Sequence, residues 1–543
     1  MILKFLSQKY SSITSAAVVI AAAGLLSRVL GIVRDRVLAG QFGAGNELDI
    51  YYAAFRIPDL LITLIALGAL SAGFIPVFIS LIKNEQEPEK NIDAWKFVSN
   101  IINIFALTLI GAGVVLAFLS PWLVPVVTPG FSGEKLALTV SLTQILYLSP
   151  FILGVSSIWG GVLQSFRQFL AFSLAPVMYN LGIIIGAKFF VPIWGLYGLA
   201  YGVILGALFH LLIQVPSLVN LGWKHFWIFK PRDNNFMAVL RLIGPRILGL
   251  ASGQINLIVI TILASTITAG SLAIFNLANN LQSFSVGFFG VSYALAVFPV
   301  LSRCYAQDDE KSFQQAFIST FKQILLFTIP LSALFIILRI QIVRVILGAG
   351  KFNWTDTVLT ADALGLMCLS VFAQALMPLL VRVFYARHNT IYPFWASFAS
   401  MLVNLVASWY LIQYWGVLGL AWGFTISSLV NLVLLIVFLK IKVKNILQDG
   451  LIMFSFKLTF SALIMSFVTQ LVKTGLGHVV DMNRFWGVAT QGLVAGLVGL
   501  GVFIGLSYLF RIEEMLVFMA SLKKKFLVKF RPEKETIIDE DLT

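Results

Sequence analysis

A chain of 543 residues that is 59% hydrophobic and 11% charged, with a mean hydropathy of +0.93, cannot hide its apolar surface inside a water-soluble core. Apolar runs of about 20 residues recur from end to end, each able to cross roughly 30 Å of hydrocarbon, and the short alternating segments of a β-barrel are absent. The net charge of +14 lies in breaks between apolar runs and in the tail Lys523–Lys534, where anionic lipid explains it better than nucleic acid does.

The chain opens with Lys4, Lys9 and an apolar stretch that passes through Ala21-Ala22-Ala23. A cleavable signal peptide has that outline too, but the stretch runs on into SRVLGIVRDR (Ser27 to Arg36) and is read as the first membrane helix. About fourteen spans are expected in an all-α polytopic membrane protein. Their centres fall near Ala22, Leu64, Leu107, Tyr147, Ile183 and Leu205, then Leu250, Phe288, Phe327, Phe372, Leu402 and Leu429, and finally Leu463 and Leu497. An even number puts both termini on one side. Breaks after even-numbered spans hold most of the lysine and arginine, from Lys83, Lys90 and Lys96 to Lys440, Lys442 and Lys444. Breaks after odd-numbered spans hold little beyond Lys135, Lys188, Lys351 and the pair Arg34 and Arg36, which predicts cytoplasmic termini.

The chain also repeats itself. WGLYGLAYG at Trp194–Gly202 returns as WGVLGLAWG at Trp415–Gly423, a spacing of 221. AGQFGAG at Ala39–Gly45 is echoed by ASTITAG at Ala264–Gly270, 225 residues on, and FIPV at Phe74–Val77 by VFPV at Val297–Val300. Matches in order at near-constant spacing predict two parallel six-helix repeats, residues 10–220 and 239–440, joined by a cytoplasmic linker at 221–238. Two further helices within 450–511 and a cytoplasmic tail at 512–543 lie outside the duplication. Transporters built from such repeats hold substrate between the halves.

The repeat isolates the charges. At the spacing of 225, Arg28, Arg34, Asp35 and Arg36 align with Gly253, Val259, Ile260 and Thr261, while Asp49 and Arg56 align with Ile274 and Leu281. The scaffold is therefore built twice but charged once. A charge at the bilayer centre costs about 2.5–3.5 kcal/mol, so these residues need either a partner or a purpose. Two readings stand. In one, Asp35 and Asp49 satisfy the arginines in a salt-bridged pin between the first two spans, with Asp35 and Arg36 its strongest members. In the other, Arg28 and its neighbours form a cationic wall for an anionic substrate, since the guanidinium fork suits phosphate oxygens.

Other features carry less. Cys304, Cys368 and the four histidines show no metal-ligand spacing, and the chain has no Walker loop, nucleophile elbow or HExxH. No metal or cofactor is expected, and the chain reads as a transporter rather than an enzyme. Pro58, Pro76, Pro150 and Pro176 read as helix kinks, and Trp194, Trp415 and Trp422 as an interfacial belt.

Several motifs together resemble the MurJ (MviN) family of lipid II flippases, in the multidrug/oligosaccharidyl-lipid/polysaccharide exporter superfamily. They are SRVLGIVRDR, FGAG at Phe42–Gly45, FRIPDLL at Phe55–Leu61, GALSAGFIPV at Gly68–Val77, TPGF at Thr128–Phe131, Asn180 downstream of an Ala-Pro pair, SGQIN at Ser252–Asn256 and GKF at Gly350–Phe352. The similarity runs from about residue 10 to 440. It implies a multi-pass protein of the bacterial inner membrane that carries an undecaprenyl-diphosphate-linked peptidoglycan precursor between leaflets by alternating access. It also implies a role in transport for Arg28, Arg34, Asp35 and Asp49. The pattern departs from the family at Thr63 and Leu67, where an arginine and a glutamate are expected, and at Asn280, where span eight would carry an arginine.

The expected substrate-binding set is thus Arg28, Arg34, Arg56 and Asn280, with Asp35 and Asp49 coupling transport or pairing the arginines. Membrane lipids and cell-wall synthesis or division proteins are the other expected partners. The alternatives are an exporter of another lipid-linked oligosaccharide or amphiphile, or a scaffold that has lost transport.

Overall fold

The computed structural model describes residues 13–64, 73–84, 87–443, 450–482 and 484–529, and among them every regular element is helical. Leu67, Lys444 and the tail beyond 529 lie outside the described residues. The first half of the chain holds α1 (Ile13–Phe42), α2 (Asn46–Ala54), α3 (Arg56–Ile62), α4 (Ile75–Leu81), α5 (Ile92–Val127), α6 (Gly133–Leu146), α7 (Leu148–Ser165), α8 (Phe169–Ile185) and α9 (Leu196–Leu212). The second half holds α10 (Asn234–Ser265), α11 (Ser271–Ser285), α12 (Ser292–Ala306), α13 (Glu310–Ile337), α14 (Arg339–Leu347), α15 (Trp354–Cys368), α16 (Val371–Ala386), α17 (Ile391–Trp415) and α18 (Val417–Lys442). Then come α19 (Gly450–Gly477), α20 (Phe485–Leu509) and α21 (Glu513–Lys529).

Among the described residues, ten helical segments are long and apolar enough to cross a membrane. The number is eleven when α15 and α16, bent by 47° at their junction, make one broken span. These segments cover every expected centre except Ala22, Leu64 and Leu250. Ala22 lies on α1, whose 30 residues include three arginines and an aspartate; Leu64 borders the undescribed stretch; Leu250 lies on the 32-residue α10. Length and apolarity alone thus give a multi-pass helical bundle but not the full count of fourteen.

The repeated motif builds the same joint twice. Gly195 (φ 57°, ψ −141°) precedes α9, and Gly416 (φ 53°, ψ −129°) precedes α18, in a backbone region that only glycine enters cheaply. The later glycines of each copy let helices touch backbone to backbone. Side chains at Gly198 and Gly202 would strike Phe190 and Gly186, and at Gly419 and Gly423 they would strike Leu411 and Ser408. Small residues at this spacing are how helices approach closely where no hydrophobic force separates lipid from protein.

One apolar cluster joins the two halves: Leu38, Leu48 and Phe131 from the first pack with Ile260, Phe275, Leu347 and Phe352 from the second. Loops interlock around it. Gly130 sits against the backbone of Ser265, and its N–H donates to Ser265 Oγ at 3.2 Å. Gly350 sits against Gly40, whose carbonyl accepts from Lys351 N at 2.8 Å. Under the repeat these two contacts are images of one another. Elsewhere the connection between halves is an extended strap. Asn100 pairs with both the N–H (2.7 Å) and the carbonyl (3.0 Å) of Lys230, and Asn103 donates to Phe226 O and Ile228 O at 3.0 and 2.9 Å. Asp233 then caps α10 by accepting from Asn235 N and Phe236 N.

Replacing Gly202 by leucine is expected to cost about 1–3 kcal/mol through overpacking, read as a lower thermal midpoint in detergent. Gly24→Leu, at a site where an added β-carbon meets no atom of another helix within 4 Å among the described residues, should leave that midpoint unchanged.

Candidate functional site

The site is a ladder of charged groups from the first half laid along one face of α11 in the second. Gly270, left-handed at φ 88°, turns the chain into α11 and packs its α-carbon face on the Ala44 carbonyl. The first free N–H groups of α11 form the helix's positive end. Asp49, buried at 2% exposure, fills it: Oδ2 accepts from Gly270 N at 2.7 Å and Oδ1 from Ala273 N at 3.0 Å. Lys135 Nζ closes the arrangement, 3.0 Å from Asp49 Oδ2.

One turn on, Asn276 Oδ1 accepts from Arg56 at 2.7 Å, and the same guanidinium donates through Nε to Thr261 Oγ1 at 2.7 Å. Arg56 is buried, at 6% exposure, so these two bonds replace water. A further turn brings Asn280, whose Nδ2 donates to Asp35 Oδ2 at 3.0 Å. Asp35 Oδ1 takes Nε and NH2 of Arg34 at 3.0 and 2.8 Å, while Arg34 NH1 reaches Asn180 Oδ1 at 3.1 Å. Asn180 in turn donates to Ser27 O on α1.

The last rung is Arg28. Its NH1 donates to Phe284 O at 3.1 Å, where α11 passes into a π-type turn at Val286–Val291. Turns of this kind recur at functional sites. The guanidinium lies over Gly287, where any side chain would collide with it. Rungs at 273, 276, 280 and 284 follow the helical repeat, so one stripe of α11 receives all four groups.

The structure therefore brings Arg34, Asp35 and Asn280 into direct contact, with Arg28 and Arg56 on the same stripe and Asp49 at its end. It corrects the expected pin in three respects. Asp49 pairs with Lys135 and backbone N–H groups, not with an arginine. Among the described residues Arg36 meets no acid: its NH1 donates to Val345 O and Ile346 O, at 2.6 and 2.9 Å, in the last turn of α14, where a cation suits the helix dipole. The bonds tie the first half to the second; they do not staple the first two spans together. Asn280, expected to offer neutral hydrogen bonds, instead donates to a carboxylate.

Thr63 takes its own cross-half bond, accepting from Gln254 Nε2 at 3.1 Å. Lys135, Asn276, Thr261 and Asn180 were missed as members of the site. Asn276 did leave a trace, standing four residues before Asn280 in FNLANNLQSF. Lys135 and Thr261 left none, because nothing local in their segments marks them.

Charge accounting separates the rungs. Asp35 neutralises Arg34, and Asp49 neutralises Lys135. Among the described residues, Arg28 makes one hydrogen bond, to a neutral carbonyl, and is half-buried. It is the rung with donors to spare for an anion.

Residues 38–486 fit the family described as Lipid II flippase MurJ. The probable lipid II flippase MurJ of Buchnera aphidicola subsp. Acyrthosiphon pisum is 30% identical over 415 residues, covering 76% of this chain and 80% of that one. The lipid II flippase MurJ of Burkholderia cenocepacia is 27% identical over 481 residues, covering 86% and 90%. A solved lipid II flippase MurJ in an inward closed conformation superposes with a TM-score of 0.75 at 25% identity, over 91% of this chain and 99% of that one. An inward-facing MATE family transporter of the MOP superfamily shares the fold, with a TM-score of 0.63 at 15% identity over 79% and 98%. With its family signature running through most of the membrane bundle and through the charged ladder from Leu38 on, this chain belongs to the MurJ lipid II flippase family.

Proposed function

We propose that this protein moves lipid II from the inner to the outer leaflet by alternating access, with Arg28 as the principal contact for the diphosphate. The observation that carries this reading is the ladder on α11. It concentrates positive charge on one side of the interface between two repeated halves, and its Arg28 rung keeps unused donors. A guanidinium binds two phosphate oxygens at once, through charge-assisted bonds about twice as strong as neutral ones.

Residues 13–220 and 234–442 act as two lobes, and α19 and α20 are an appendage to them. The lysine and arginine distribution supports cytoplasmic termini, which places the Asp49 end of α11 toward the outside. The headgroup enters from the cytoplasm, its phosphates meet Arg28 and then Arg34, and the lobes part at the Asp49 end to release it. Export of negative charge from an inside-negative cell gains about 2.3 kcal/mol per charge per 100 mV, so the membrane potential favours the direction of transport.

The deciding experiment is complementation of a flippase-depleted bacterium, paired with lipid II translocation in proteoliposomes. Arg28→Ala should abolish both while the protein keeps its wild-type thermal midpoint, because Arg28 holds a single carbonyl. Wild-type translocation by that variant would remove Arg28 from the diphosphate site.

A second outcome follows from the outer end. Asp49→Ala leaves two helix N–H groups and Lys135 unpaired, and should lower stability by about 1–3 kcal/mol. It should also raise the rate at which a cysteine at Ala44 reacts with a membrane-impermeant maleimide added outside whole cells. An unchanged rate would mean that Asp49 does not hold this end closed.

A further inference from the structure

The second half holds a partly open cavity of about 810 Å³ whose lining residues all lie between Asn256 and Leu435. Its walls are α10, the π-type turn after α11, α12, α16, α17 and α18. The size falls within the range of small-molecule sites. It lies behind α11. Gln282, two residues from Asn280 and so on roughly the opposite face of the helix, bonds to Gln374 of the cavity wall at 3.1 Å. Val286, also in the wall, is the neighbour of Gly287, over which Arg28 lies.

The chemistry of the wall is specific. Ser427 and Ser428 spend their protons on Phe424 O, at 2.9 and 2.8 Å, and so present only acceptor lone pairs to a ligand. Asn431 Oδ1 is buried without a hydrogen-bond partner among the described residues, an acceptor waiting for a donor. Phe298 and Phe424 add apolar surface. Among the described residues no carboxylate lines the space, so nothing offsets the charge of a desolvated cation. Arg382 lies in the same wall, its NH1 donating to Pro378 O at 3.4 Å, and sets a cationic donor beside these acceptors. A wall that combines hydroxyl and amide acceptors, a guanidinium donor and aromatic faces suits a group that carries O–H donors and oxygen acceptors together with apolar C–H faces, which is the chemistry of a sugar.

The repeat supplies an independent control. At the spacing of 221, Asn431 corresponds to His210 and Leu435 to Gln214. In the first half the corresponding side chains meet one another: Ser156 Oγ lies 2.7 Å from His210 Nδ1 and accepts from Gln214 Nε2 at 2.6 Å. The scaffold can bring polar side chains together at this place, whereas in the second half the apolar Leu435 stands where Gln214 does and both Asn431 and Leu435 line the cavity.

We propose that the second-half cavity is a carbohydrate subsite that receives the sugar portion of the lipid-linked substrate, back to back with the diphosphate contact at Arg28. This rests on the flippase reading above, and the test separates the two. Dissociation constants of the full-length protein in nanodiscs are measured for lipid II and for undecaprenyl diphosphate, which lacks the sugars. Two variants are compared with wild type. Ser428→Trp fills the cavity, and Asn431→Leu removes the orphan acceptor while keeping the side chain's branching and number of heavy atoms.

Wild type should bind lipid II more tightly than undecaprenyl diphosphate. Each folded variant should lose about tenfold or more for lipid II, the worth of one or two hydrogen bonds, with undecaprenyl diphosphate unaffected. Should Ser428→Trp fail to fold, Asn431→Leu decides alone. Equal affinity of wild type for the two lipids, or full lipid II affinity in Asn431→Leu, overturns the sugar subsite and leaves the flippase reading intact. Failure of wild type to bind either lipid overturns the flippase reading and the subsite with it.

Discussion

Everything about this interface depends on one constraint: ionised groups taken into a membrane bundle must find partners there. Arg28, Asp35, Asp49 and Arg56 find them on a single stripe of α11. The partners are amides, backbone N–H groups and a carbonyl. Each bond has one ionised member, so each is stronger than a neutral pair. Yet none on that stripe sets a full charge against a full charge. A contact of this kind holds two halves in register without the large penalty that follows when a buried ion pair is pulled apart. That balance suits an interface that has to open and close.

Around the ladder the two halves meet as near images. Gly130 against Ser265 and Gly350 against Gly40 are reciprocal contacts, and the joints at Gly195 and Gly416 share one backbone geometry. Departures from this symmetry are correspondingly informative. The first half carries the ladder's charges, and the second has a polar cavity where the corresponding first-half residues His210 and Gln214 both meet Ser156. Where a fold is built twice, a feature present in one copy only is not demanded by folding.

Much of this was legible in the chain itself. Apolar runs of spanning length read directly as membrane helices, because a lipid environment forces backbone groups to pair within each segment. The repeat and the one-sided placement of Arg28, Arg34, Asp35, Asp49 and Arg56 were equally visible. Partners were not. Asp49 lies 86 residues from Lys135 and 221 from Gly270, and Arg56 lies 205 from Thr261. Proximity across such separations is a property of packing, and no local spacing encodes it. For the same reason Arg36 was assigned an acid and proved to hold two carbonyls of α14.

Composition, periodicity and internal repetition determined that the chain is a helical membrane protein with repeated motifs, in which Arg28, Arg34, Asp35, Asp49 and Arg56 have no charged counterpart in the second copy, since those properties are sums over residues or differences between aligned copies. Only the tertiary structure decided which charges are spent on the interface and which are kept. Among the described residues Arg34 makes three hydrogen bonds and the buried Arg56 two, while the half-buried Arg28 makes one. The physical reason is that a guanidinium's availability depends on which acceptors other helices bring within about 3 Å, and that is settled when the two halves pack.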